Sequence, residues 1–336
     1  MKQTGFGLIG AGAIGRVHVD NIRHNIMGAK LVAVADIDQE AAKRAAAGEA
    51  AVYSDYRDMI RDKNVDAVVV CTPPFLKLDI TKLAAEAGKG VFCEKPIATT
   101  LKEADEMVGI VEKSGLRFQV GYQRRFDPSY LRAKAAVDSG ELGELLLMKE
   151  HNRDPPGPIG GWSLIPSKSG GIFLDTTSHD FDAVRWLSGS EVERVYAEGA
   201  ALVYDDLRKN GDFDTTTVVM KLKNGALAYV DSCYNTAYGF DARLEILGKK
   251  AAISVDMGEK SFAHVLDSRG TSNEFFDGYA ARWAIAYRDE LNDFAQCVAT
   301  GREVKVGIRE GKAALKIGLA ARASVEQLRP VPVNPD

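Results

Sequence analysis

Short apolar runs recur along the first third of the chain, separated by segments in which apolar and polar positions repeat at helical spacing. GFGLIG, KLVAVAD, DAVVVC, GVFC and LRFQVG are rich in Val, Leu and Ile with no polar alternation, the pattern of strands covered on both faces. Between them, Ile14–Asn25, DQEAAKRAAA, LDITKLAAEAG and LKEADEMVGIVEKSG read as helices, the last two stopped by glycine. This alternation predicts a doubly wound parallel sheet with helices on both faces.

After about Gly121 the pattern changes. A helix is predicted over Pro128–Ser139, then a strand in LGELLLMKEHNR, a loop rich in Pro, Gly and Ser over Asp154–Gly171, and a helix around His179–Leu187. Strand-like segments follow between Val192 and Val255. TTTVVMKL and ALAYVDSCY are joined by Lys-Asn-Gly, as in a tight hairpin. Helices over 280–299 and 309–327 close the chain. The expected architecture is α/β: a doubly wound domain over 1–122, then an α+β domain over 123–336 with a large, open, mostly antiparallel sheet.

Composition narrows the function. The 336 residues accommodate two domains, and with 46% hydrophobic residues each can bury a core. The net charge of -4 has its signs interspersed, without the basic stripe that nucleic acid or an acidic membrane requires. No apolar run approaches the ~18 residues of a membrane span. The glycine-rich start leads straight into a polar helix, unlike a signal peptide. Cys71, Cys93, Cys233 and Cys297 form no CxxC pair, so a reduced, cytoplasmic chain without a metal site is expected.

GAGAIG, from Gly10 to Gly15, leaves a strand and opens a helix. Gly10 permits a tight turn, Gly12 lets a pyrophosphate approach the backbone, and Gly15 lets helix and strand pack closely. The free amides at Ala13 and Ile14 then face a dianion. Asp36 lies 21 residues beyond Gly15 at the end of the second strand and is followed by Ile37, with no Arg or Lys beside it. A carboxylate there accepts from the adenosine ribose and repels a 2′-phosphate, which favours NAD over NADP. Cys71, Thr72 and Pro73 end the third strand. They read either as cofactor contacts at the carboxyl rim or as a simple proline stop.

Glu94-Lys95-Pro96 ends the fourth strand at the same rim, where a Lys projects toward the nicotinamide end of a cofactor. Asp175 and His179, four apart after Gly170-Gly171, share a face if one helical turn carries both. His is the side chain best suited to move a proton near neutral pH. The alternative is a capped helix start with satisfied polar groups. His18 and His24 fall on the first helix and are expected at its surface.

With GAGAIG, VADID, CEKPIATT, VGYQRRFDPSY, GGIFLDTTSHDFDAVRWL, YGFDARLEILGKKAAISV and YRDELNDF in place, the chain resembles the Gfo/Idh/MocA oxidoreductases over essentially its whole length, and within them the inositol dehydrogenases. The resemblance implies a Rossmann domain that binds NAD, with Glu94, Lys95 and Gln123 among its cofactor contacts. It implies a second domain whose open sheet packs against another subunit, commonly in a homotetramer. It also implies that Lys95, Asp175 and His179 form the catalytic group, with Arg124, Asp154, Tyr238 and Tyr287 as further substrate contacts. For Arg124 pairing with a surface acid, and for Tyr238 a place in the core, are the alternatives. The substrate implied is a cyclic polyol or sugar, myo-inositol first, with scyllo- or chiro-inositol or an aldose as alternatives. A family glycosidase that uses NAD and a non-catalytic NAD-binding sensor are rival readings. Two departures bear on substrate choice. Trp162, Ser163 and Lys168 occupy a loop where relatives often carry Tyr-Ile, and Phe75-Leu76-Lys77 stand where relatives often carry a His.

The ribose assignment makes a prediction. Asp36→Ala weakens NAD far more than NADP when both affinities are titrated; equal losses defeat the assignment.

Overall fold

The apolar runs of the first third become one parallel sheet in the computed structural model, which describes residues 3–261 and 263–333. Its strands are β1 (Thr4–Ile9), β2 (Ala29–Ala35), β3 (Ala51–Tyr53), β4 (Ala67–Val70), β5 (Gly90–Glu94) and β6 (Phe118–Gly121). They lie in the order β3-β2-β1-β4-β5-β6, with every neighbouring pair parallel. Every residue of β1, β4 and β6 is buried, as uninterrupted apolar runs between two helical layers require. The three-residue edge strand β3 is too short to show a period.

The intervening helices are α1 (Ala13–His24), α2 (Gln39–Ala46), α3 (Tyr56–Arg61), α4 (Lys77–Glu86) and α5 (Leu101–Ser114). Local chemistry sets their ends. The Asp38 carboxylate accepts from the Glu40 and Ala41 amides to start α2. Thr100 and Glu103 form a reciprocal capping pair at α5, which Gly115 ends in the left-handed conformation.

Phe6 and Phe92 of this sheet pack against Phe294, with ring centroids 6.1 and 5.8 Å apart. By contact, the first unit therefore comprises the residues up to Phe126 together with Ile285–Leu315, an arrangement that a single boundary near residue 122 leaves out. The second unit comprises Asp127–Ala284 and the chain from Lys316 onward.

The second unit is built on a seven-stranded sheet. Its main strands are β7 (Leu145–Arg153), β8 (Val192–Ala200), β9 (Thr215–Leu222), β10 (Leu227–Cys233), β11 (Asp241–Gly248) and β12 (Ala252–Val255). They run β12-β11-β7-β10-β9-β8, with Val331–Pro332 beyond β8. All pairs are antiparallel except β10 with β7. β9 and β10 form the expected hairpin, with Gly225 at φ +95° in the turn. Alternation sorts the faces: Met148, Val218, Met220, Val230, Leu244 and Ile246 are buried, while Leu147, Lys149, Val219, Tyr229 and Leu247 on the other face are half-buried or exposed. Among the described residues no helix is long and apolar enough to cross a membrane.

Just before β9, the fully buried Asp214 accepts from the amides of Leu202, Val203 and Tyr204 at 3.0, 2.8 and 2.9 Å and from the Thr215 hydroxyl. Burial alone pushes its carboxyl up, but these donors outweigh burial and hold it below the usual range. A depressed folded pKa stabilises the fold above the unfolded value and ceases to do so as pH falls through the folded one. Asp214→Asn should cost about 1–3 kcal/mol at neutral pH, and the gap to wild type should narrow as urea midpoints are followed down through the carboxylate range.

Candidate active site

The carboxyl rim of the parallel sheet gathers the first group of residues. Gly10, at φ +96°, turns the chain after β1, and a Cβ there would lie 2.7 Å from the Cys71 carbonyl oxygen. The ends of β1 and β4 thus touch at the point where strand order reverses. A Cβ on Gly15 would lie 2.1 Å from the Gly10 carbonyl oxygen, so α1 closes on the loop only because that position is glycine. A Cβ on Gly12, by contrast, would have nothing within 4 Å. Gly12 caps α1 with no side-chain bond and no acidic residue in the first turn, so the exposed Ala13 and half-buried Ile14 begin a helix open to an anion.

Asp36 braces this loop. Its Oδ2 accepts from the Ala11 amide at 2.7 Å and its Oδ1 from the Asp38 amide at 2.8 Å. Each oxygen keeps a second lone pair for a ribose hydroxyl. Ile37, beside it, is 95% exposed. Gly10, Cys71 and Asp36 are therefore brought to one rim. The half-buried Thr72 and Pro73 lead into a short 3-10 turn, Pro74–Leu76.

At the end of β5, Glu94 is buried and Lys95 half-buried, and the Lys95–Pro96 peptide is cis. A lysine whose backbone contacts the sequence did not show packs against them. Lys77, 1% exposed, donates from Nζ to the carbonyl oxygens of Glu94, Lys95 and Pro96. Burial pushes its ammonium down from the ordinary lysine range, against the raising influence of Cys93 and Glu94. Lys77, one of the residues expected to bear on substrate choice, binds the Glu94-Lys95-Pro96 backbone within the first unit. The sequence signal is faint: a Lys opening a helix three residues after Pro-Pro reads as solvated.

Gln123 and Arg124 lie on the 3-10 turn Gln123–Phe126, each 2% exposed. Tyr287 is 5% exposed, and its ring stands edge-on to His18 with centroids 5.9 Å apart. His18 corrects the expectation of a surface residue. It is fully buried, with Nε2 2.7 Å from Glu94 Oε1, because it falls three residues after Gly15, on the face that packs closely against the sheet. His24 is exposed, as expected.

In the second unit, Gly170 and Gly171 both take positive φ, and a Cβ on Gly171 would lie 2.5 Å from Asp212 Oδ1. The following segment is not one helix. Gly171–Asp175 forms one turn, and a second helix spans Ser178–Ser188. Asp175 thus ends the first and His179 is the second residue of the next, both half-buried. Side chains satisfy the break: Asn152 donates to the Thr176 carbonyl and to Asp180, Thr177 bonds Ser232, and Thr176 donates to the Tyr234 hydroxyl. Burial drives the Tyr234 phenol well above its ordinary pKa, and the charges of Asp175, Asp212 and Asp154 raise it further. Tyr234, a neutral phenol at the focus of these carboxylates, was invisible in a segment that reads as the end of a strand. Asp154 follows β7, with its amide donating to Cys233 and its carbonyl accepting from Thr236.

Tyr238 is 46% exposed and neighbours a different set. Its hydroxyl donates to Asp241 at 2.9 Å and accepts from Arg153 at 3.2 Å. Arg153 also binds Asp231, which pairs with His151. This places Tyr238 with the charged cluster on the outer sheet face rather than in the core.

A model described as an oxidoreductase family with an NAD-binding Rossmann fold matches residues 4–122, and a GFO/IDH/MocA C-terminal domain model matches residues 130–254. The chain is 35% identical over 328 residues to a myo-inositol 2-dehydrogenase of Thermotoga maritima, covering 97% of each. It is 32% identical over 334 residues to a scyllo-inositol 2-dehydrogenase (NAD(+)) of Bacillus subtilis, covering 99% of this chain and 97% of that one. A solved structure of scyllo-inositol dehydrogenase from Lactobacillus casei, with bound NAD(H) and scyllo-inositol, matches with a TM-score of 0.93 at 30% identity, covering 99% of both chains.

The Lys77 contacts make a prediction. Lys77→Met removes the donor to three carbonyls while keeping the stem's volume. It should lower kcat roughly tenfold to hundredfold, the scale of a small misplacement of a reacting group. NAD affinity, measured by fluorescence titration, should change less.

Proposed function

The chain belongs to the Gfo/Idh/MocA oxidoreductases, and on that footing we propose that it oxidises a ring secondary hydroxyl of a cyclic polyol, myo-inositol first, to the ketone with NAD. One observation carries the reading: an open glycine loop braced by Asp36, in a chain that matches inositol dehydrogenases over 97% of its length. The residues present fit the dinucleotide. The amides after Gly12 take the pyrophosphate, Asp36 the ribose, and Thr72, Pro73, Glu94, Lys95 and Gln123 the remainder.

NAD, when bound, supplies the hydride acceptor. The chain supplies proton transfer and electrostatics. His179 takes the hydroxyl proton as general base. The Lys95 ammonium hydrogen-bonds the same oxygen and favours its developing negative charge. Asp175 orients these groups. Arg124 and Asp154 bind ring hydroxyls, and contacts of that kind discriminate stereoisomers strongly. Tyr287, beside His18, is a further substrate contact; Tyr238, the other expected one, is engaged by Asp241 and Arg153.

The same reading assigns the outer sheet face to a second copy of the chain within a homotetramer. Register places Leu147, Leu227 and Leu247 side by side in one row there, with ion pairs flanking them. Four free thiols suit a cytoplasmic protein.

The test is a panel of cyclitols and sugars with NAD, followed by NADH absorbance. Myo-inositol should give NADH, and Lys95→Ala should lower turnover at least ~100-fold. A free sugar released without net NADH would identify a glycosidase. Silence with every substrate would identify a sensor.

A further inference from the structure

Around the side chain of Glu94 lies a buried trio whose other two members, His18 and Glu290, the proposed function does not use. His18, Glu94 and Glu290 each bring one donor atom to within 4.8 Å of the others. His18 and Glu290 are fully buried and Glu94 is 6% exposed. The Glu94 carboxylate has room only because its neighbour on β6 is glycine: a Cβ on Gly121 would sit 3.1 Å from it.

Two carboxylates this close and this dry do not both ionise. Hydrogen bonding decides which one keeps the charge. Glu94 has a donor in His18 Nε2 at 2.7 Å, whereas among the described residues neither Glu290 oxygen has a hydrogen-bond partner. A bare buried carboxylate is far costlier than a neutral acid, so the proton belongs on Glu290. His18 Nδ1 also lacks a partner. A lone pair tolerates that position better than an N–H, which favours the tautomer that carries its proton on Nε2, toward Glu94. The Gln119 side chain holds the Glu290 backbone carbonyl at 2.7 Å.

We propose that Glu290 is a positioning residue for Lys95: a neutral acid within 4.8 Å of the Glu94 and His18 donor atoms, whose proton spares Glu94 a second buried charge, so that the His18–Glu94 pair fixes the strand end from which Lys95 projects. This rests on the assignment of Lys95 above. Lys77 fixes the same segment through its backbone, and the trio fixes it through a side chain. Other groups that act on the trio are Lys77, the thiols of Cys71 and Cys93, and the Tyr287 ring. Burial pushes both thiols up, so they stay neutral. Burial, and then the Glu94 charge, likewise push Glu290 well above the ordinary carboxylate range.

The sign of the pH effect follows. A raised folded pKa means that folding takes up a proton. The contribution is complete below the unfolded value and declines as pH rises toward the folded one. Urea unfolding of wild type and Glu290→Gln across this range should diverge. The wild-type folding constant should fall relative to Gln by up to about tenfold per pH unit above the ordinary carboxylate pKa. Parallel curves would mean that Glu290 is ionised and would overturn the proposal. Should the Gln variant not fold, wild type refolded in weak buffer with a pH indicator should still take up about one proton more than its other groups require; no excess uptake has the same force.

Catalysis supplies the positioning readout. Glu290→Leu should lower kcat about tenfold or more with little change in the KM for NAD, and Gln should restore most of that loss. Equal kcat in Leu and wild type would refute positioning. If Lys95→Ala is itself near normal, the Lys95 assignment fails, while the proton-uptake result still stands or falls by itself. Stoichiometric divalent metal in the purified protein, with stability lost on chelation, would replace the Glu290 proton with a bridging ion and overturn the proposal.

Discussion

A buried parallel strand that ends at a reactive rim must find donors for the carbonyls its ladder no longer reaches. At the end of β5 a single ammonium, Lys77 Nζ, meets three of them. Much of the first unit's rim follows from that contact. It stops the strand at Glu94, holds the direction in which Lys95 leaves the sheet, and places a compensating positive charge near the Glu94 side chain. The cost is a desolvated lysine, tolerable because its hydrogens are directed at backbone oxygens.

The second unit meets a similar requirement differently. Between Asp175 and His179 the helix breaks: Asn152 meets the Thr176 carbonyl and the Thr177 hydroxyl the Ile172 carbonyl, while Thr176 and Thr177 also bond the Tyr234 and Ser232 hydroxyls. The break changes what spacing of four means. Asp175 and His179 are not stacked on one continuous helix. One ends a turn and the other begins the next, and a half-buried phenol lies in the field of Asp175. Polar residues at such a point settle backbone geometry first, and only then become available to a ligand.

The sequence carried the parallel sheet well, because β1, β4 and β6 are buried on both sides and read as unbroken apolar runs. The hairpin at Asn224-Gly225 and the glycine loop were equally legible, since each depends on local backbone freedom. What escaped notice depends on partners distant in the chain. His18 looked solvated because Glu94 lies 76 positions away. Phe294 and Glu290 sit on a late helix, and nothing local shows that it returns to the first sheet. Lys77 and Tyr234 are ordinary residues in ordinary contexts, and only three-dimensional packing gives them their neighbours.

On the proposed reading Asp36 serves two purposes, and this constrains how cofactor preference can change. The carboxylate that would meet the ribose also holds the Ala11 amide within the glycine loop. A lineage acquiring tolerance for a phosphorylated ribose cannot simply discard the acid, because the loop would lose its internal acceptor in the same step. It must first install another oxygen for that amide, so drift toward the other dinucleotide passes through a compensated intermediate rather than a single replacement.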